Sequence, residues 1–126
     1  SLHHPAHWED PTDLLRPIYD LYADRKPIQI SEYAATHTCK ACGRYTADFA
    51  MDKMIRMYRS LPQHFPRVKS IYWFSWDTVS GKSAENNYAV TDDPVIRDTY
   101  RRLIAPEYFL PRIPEGQFWE RRKAPR

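Results

Sequence analysis

The amino-acid sequence predicts an α/β fold organised on a parallel sheet, and three observations predict it. Residues Lys69-Ser70-Ile71-Tyr72-Trp73-Phe74-Ser75-Trp76-Asp77 read as a strand that is apolar on both parities. Ile71 and Trp73 fall on one side, Tyr72, Phe74 and Trp76 on the other, and burial on both faces marks a parallel strand covered by helices. The earlier run Lys26-Pro27-Ile28-Gln29-Ile30-Ser31-Glu32-Tyr33-Ala34 reads as a second, shorter strand ending in a carboxylate. Between the two lies a stretch of helical periodicity, so strand, helix and strand succeed one another at the spacing of a βαβ unit, whose crossover is right-handed.

Taken in order, Ser1 to Pro11 is irregular and carries His3, His4, His7 and Trp8. Clustered histidines suit a metal, but exposed loop histidines are the commoner case. A first helix is expected from Asp13 to about Ala23. Thr12 can cap it, and Leu14, Ile18, Leu21 and Tyr22 recur at helical spacing. Pro17 is placed near the first turn, where a missing N–H is tolerated. Lys26-Pro27 stops that helix and opens the first strand. On it Ile28, Ile30 and Glu32 share one parity and project from one face. An apolar face that turns acidic at its last residue suits an open, wet rim, where a parallel α/β sheet binds ligands. The plainer reading makes Glu32 the first solvated residue of a loop.

Residues 35 to 45 read as a polar loop carrying Cys39 and Cys42, the chain's two cysteines. A lone CxxC admits, in falling order, a structural disulfide or two free thiols, a metal site drawing on His37 and one further ligand (His64 is distant), or redox chemistry. A second helix is expected from about Ala47 to Ser60, with Ala47, Ala50, Met51, Met54, Tyr58 and Leu61 on its buried face. Pro62 and Pro66 bound the link to the second strand, and a polar loop runs from Thr78 to Asp92. Asp93 then caps a third helix with Pro94 at its first position and Ile96, Tyr100, Leu103 and Ile104 as its inner stripe. Residues 1–105 form one unit, and 106–126 a proline-rich basic tail that wraps a surface or hangs free.

Composition narrows the function classes. At 126 residues the chain holds at most one ordinary domain, and a net charge of +3 is too mild to point to nucleic acid. No apolar run approaches the ~20 residues of a membrane span, and no stretch of these residues reads as a signal peptide. Two parallel strands with three helices cannot bury both sheet faces and cover both edges. With Ser1 as the first residue, this predicts a C-terminal part of a larger α/β protein.

Several motifs carry a family resemblance. Lys26-Pro27-Ile28 through Glu32-Tyr33-Ala34 resembles the seventh strand of the (β/α)8 glycoside hydrolases. His64-Phe65-Pro66-Arg67-Val68-Lys69-Ser70-Ile71-Tyr72-Trp73-Phe74 is similar to the approach to their eighth strand. Asn87-Tyr88-Ala89-Val90-Thr91-Asp92-Asp93-Pro94 with Tyr100-Arg101 looks like the lead into the last barrel helix. The chain resembles glycoside hydrolase family 26, the mannanase-like group, and its clan relatives, over about residues 12 to 105.

The resemblance implies the last two parallel strands of a (β/α)8 barrel in a secreted or periplasmic retaining glycosidase that needs no cofactor. Glu32 would be the nucleophile, and the acid/base would come from an upstream strand outside this chain, so the isolated chain is expected to be inactive. Asp77 is the only local carboxylate to stand in for it, and it is poorly placed in the family pattern. For an oligo- or polysaccharide substrate, Trp76 is the first stacking candidate, then Tyr33, with Trp8 and Trp73 after them; core packing is the stronger reading for Trp73. The cysteine loop after Glu32 departs from the family pattern. Two other readings stand beside this one: a barrel relative that binds carbohydrate without cleaving it, and a zinc or redox module built on Cys39 and Cys42.

Overall fold

The computed structural model describes residues 9–40, 44–79 and 86–110. They form a small α/β unit of three helices, a two-stranded parallel sheet and a three-stranded antiparallel one. The order is α1 (Pro11–Tyr22), β1 (Ile28–Tyr33), β2 (Thr38–Cys39), β3 (Arg44–Tyr45), α2 (Ala47–His64), β4 (Val68–Trp73), β5 (Asn86–Asn87) and α3 (Pro94–Ile104).

β1 and β4 pair in parallel on either side of α2 in the sequence, as the strand–helix–strand spacing predicts. Ile28 faces Val68 and Ile30 faces Ile71, but the next partner of Trp73 is Tyr33 rather than Glu32. This slip is a β-bulge at Ser31-Glu32, and it breaks the alternation on which strand parity depends. Tyr33 therefore turns into the core while Glu32 is exposed. The expected shared face of Ile28, Ile30 and Glu32 is corrected accordingly. Nor is β4 covered on both faces: Tyr72 is more than half exposed, against half-buried Ile71 and Trp73, and Trp76, beyond the end of the strand, is 61% exposed.

α1 begins two residues earlier than expected because Asp10, not Thr12, is its cap. Its Oδ1 accepts from the Thr12 N–H at 2.9 Å, and Pro11 opens the helix. Pro17 consequently sits in the helix interior. The expected stripe points outward, with Leu14 61% and Leu21 59% exposed, while Pro11 and Leu15 are buried. Contacts distant in sequence choose that orientation. Tyr19 meets Phe65 edge-on at 5.0 Å, the Arg16 guanidinium lies over the same ring, and Arg67 donates to the Ala23 carbonyl.

α2 carries the centre of the core: Ala47, Ala50, Met54, Met57, Tyr58 and Leu61 are all buried. The helix continues through Pro62 to His64, past the expected end at Ser60, and Phe65 N–H closes it onto the Leu61 carbonyl. Lys53 is also buried, its ammonium donating to the Glu9 carbonyl at 2.9 Å. α3 follows its sequence signals, with Ile96 fully buried and Tyr100, Leu103 and Ile104 half-buried.

The two segments read as polar loops contain a second sheet. β2 pairs antiparallel with both β3 and β5, in the order β3-β2-β5. Residues 106–110 pack against the core: Phe109 lies 5.7 Å from Tyr58, and the Tyr108 hydroxyl donates to the Val68 carbonyl. The remainder of the expected tail lies outside the described residues. Among those described, no helix is long and apolar enough to cross a membrane.

Asp93 ties the second sheet to α3. Its Oδ1 accepts from the N–H groups of Val95 and Ile96, and its Oδ2 from the Tyr45 hydroxyl. Burial alone would raise the Asp93 carboxyl, but these three hydrogen bonds outweigh it and hold the group below its ordinary 3.8. A depressed carboxyl stabilises the fold above its unfolded-state pKa, and that contribution is lost as pH falls through the folded-state value. The same bond pushes the Tyr45 phenol up to about 12. Asp93→Ala should bring the Tyr45 ring back toward its ordinary 10 in an NMR pH titration. An unchanged titration would remove the link between β3 and α3.

Candidate functional site at the strand ends

The C-terminal ends of β1 and β4 lie side by side, since the Phe74 N–H donates to the Tyr33 carbonyl at 2.9 Å. Glu32 stands on the bulge just before that point, exposed. Burial raises the pKa of the Tyr88 phenol first, and the charge of Glu32, acting at electrostatic range, raises it further. The segment bearing Tyr88 is clamped to the end of β4 from several directions. Its N–H donates to the Trp76 carbonyl, its carbonyl accepts from Trp73 Nε1 at 2.8 Å, and its ring meets Phe74 at 5.7 Å. Tyr88 and Trp76 thus meet at the end of β4, and Glu32 lies within electrostatic reach of Tyr88. The Trp76 side chain is 61% exposed, leaving ring surface available to a ligand.

Tyr33, expected as the second stacking residue, is corrected to a core residue. It is 6% exposed, its hydroxyl donates to the Lys53 carbonyl at 2.7 Å, and its ring meets Trp73 edge-on at 5.7 Å. Burial, then the charges of Asp10 and Asp52, push its phenol far above the ordinary range. The bulge is the physical reason. Trp73 is half-buried between Tyr33 and Tyr100, as the core reading has it. Trp8 lies outside the described residues. Asp77 is half-buried and paired with Asn87 in an isolated bridge, and its Oδ1 accepts from the Val79 N–H at 2.8 Å.

Cys39 is buried and disulfide-bonded, which selects the first of the readings of the CxxC over the free-thiol and metal ones. Cys42, the chain's other cysteine, lies outside the described residues, as do His3, His4 and His7. His37 is buried, with Nε2 against the Ala89 carbonyl at 3.0 Å and Nδ1 against the Thr38 hydroxyl at 3.2 Å. It holds the second sheet rather than offering a free nitrogen to a metal. Among the described residues no group of three or more metal-ligating side chains occurs.

Sequence reasoning missed the rim's third wall, residues 86–90, within a stretch read as a polar loop. The signal present was the apolar trio Tyr88-Ala89-Val90, all three of them buried. Comparison of the chain with protein-family models, with curated proteins and with solved structures finds no significant match.

Proposed function

We propose that this chain is the C-terminal part of a (β/α)8 retaining glycoside hydrolase of the family 26 type, acting on a polysaccharide such as a β-mannan. The observation that carries the reading is an exposed carboxylate, Glu32, at the C-terminal end of one of two parallel strands, where barrel enzymes keep their chemistry. Glu32 attacks the anomeric carbon, and an acid on an upstream strand protonates the leaving oxygen. Retaining hydrolysis needs those two carboxyl groups ~5 Å apart. The upstream part of the barrel is therefore the partner this chain requires. It would also pair the outer edges of β1 and β4, which in the described residues bond only to each other.

Supporting features lie around the carboxylate. Tyr88, its phenol pKa raised by burial and by the charge of Glu32, holds a neutral hydroxyl within electrostatic range of the carboxylate. Trp76 offers a ring face for the C–H surface of a sugar. The disulfide at Cys39 suits an oxidising compartment, hence a secreted or periplasmic enzyme. The chemistry calls for no cofactor.

The test is covalent trapping. With the complete barrel, a 2-fluoro glycoside bearing a good leaving group should label the peptide that contains Glu32, as seen by mass spectrometry. A stoichiometric label on another residue overturns the assignment. A second reading is a barrel relative that binds carbohydrate without cleaving it. A carboxylate at the end of the fourth strand would decide for catalysis, and its absence for binding.

A further inference from the structure

α1 keeps an apolar ridge that is left open among the described residues. Leu14, Ile18, Leu21 and Tyr22 recur at helical spacing on its outward side, each about half exposed or more. Single exposed apolar residues are ordinary, but a contiguous row of them marks an interaction surface. Asp13 and Asp20 run along one flank of the ridge, with Asp24 just past the helix end. All three are exposed, and none joins an ion pair among the described residues.

Two observations indicate what covers the ridge. The first is where the described chain ends. The Tyr108 hydroxyl donates to the Val68 carbonyl at 3.3 Å. Next to Val68, Arg67 donates from its N–H to the Tyr19 hydroxyl at 3.2 Å and from Nε to the Ala23 carbonyl at 2.8 Å. The chain therefore leaves the described fold at the exposed Leu110, within reach of the last turn of α1. The 16 residues that follow span about 50 Å when extended, against about 18 Å for the length of α1. The second observation is charge. Those residues carry Arg112, Arg121, Arg122, Lys123 and Arg126 against Glu115 and Glu120, with Phe118 and Trp119 close to the basic run. Aromatic residues beside cations match an apolar ridge beside aspartates. A second copy laid antiparallel on the same ridge would instead set the aspartate row against itself, and like charges repel.

We propose that the C-terminal segment 111–126 docks on the outward face of α1, with Phe118 and Trp119 on the ridge and Arg121-Arg122-Lys123 beside Asp13, Asp20 and Asp24. Tethering presents the segment to α1 at an effective concentration of about 1 mM, so a contact with a Kd of about 0.2 mM is closed most of the time. The contact stands or falls independently of any glycosidase activity.

Trypsin cleavage after Arg121 and Arg122 in the full chain, timed by mass spectrometry, reads the docking, because cleavage follows the undocked fraction. The chain should be cut there about fivefold more slowly than a synthetic peptide of residues 111–126. Ile18→Gln with Leu21→Gln, at exposed positions, should bring the rate to that of the peptide, with helix content unchanged by circular dichroism. Asp13→Asn with Asp20→Asn and Asp24→Asn should recover part of the difference, and Val95→Gln, exposed on α3, none of it. Equal rates for chain and peptide, or protection undiminished in either the ridge or the aspartate variant, overturns the proposal. Protection that rises with protein concentration overturns it too, since that is the mark of a second copy on the ridge.

Discussion

On the glycosidase reading proposed above, replacing Glu32 with Gln in the complete barrel is expected to lower kcat on a polysaccharide substrate by about 10³-fold or more, because a neutral amide cannot form the glycosyl ester. Substrate binding should change little, since Gln keeps the size and hydrogen-bonding reach of Glu. Glu32 is exposed and sits on a bulge whose backbone pairing does not depend on the side chain, so the variant should fold. Asp77→Asn provides the contrast. Its Oδ1 serves the local turn at Val79, and the same turn bond is available to an Asn side-chain oxygen. Its kcat should stay within a few-fold of the parent. Steady-state kinetics on both variants measure the difference, and undiminished hydrolysis by Glu32→Gln removes Glu32 from the reaction.

Phe65→Ala should cost about 3–5 kcal/mol of folding stability, enough to unfold a marginal domain. Phe65 is fully buried, at the point where α2 hands over to β4, and it is the ring on which α1 docks. Tyr19 meets it edge-on at 5.0 Å and the Arg16 guanidinium lies 4.8 Å above it. Truncation therefore opens a cavity and releases α1 together. Leu14→Ala, on the outward stripe of the same helix, should shift stability by no more than about 0.5 kcal/mol in this chain. Urea unfolding of the two variants side by side gives the comparison. A loss below about 1 kcal/mol for Phe65→Ala would show that α1 is held elsewhere.

The second pair also shows why part of the fold was legible and part was not. α3 could be read directly: Asp93 and Pro94 start it, and Ile96, Tyr100, Leu103 and Ile104 give its inner face. α1 could be placed but not turned. Both of its faces carry apolar residues, and the choice between Leu14, Ile18 and Leu21 on one side and Leu15 and Tyr19 on the other was made by Phe65, far away in the chain. The second sheet was invisible because strands of two residues have no measurable period.

The candidate site divides in the same way. Glu32 could be found from its place at the end of an apolar run, but the parity that first singled it out does not survive the bulge. Tyr33 was expected beside it and lies in the core instead; Tyr88 was passed over, and its phenol feels the Glu32 charge. What the sequence by itself determined was the set of helices, the parallel strand pair and the carboxylate at its end. These follow from short-range terms, namely caps, proline stops and local periodicity. What only the tertiary structure decided was which way α1 turns, which residue of β1 faces inward, and which distant segment walls the rim. Each depends on pairing or packing between residues dozens of positions apart, and a one-residue slip in such pairing moves a side chain from one face of a strand to the other.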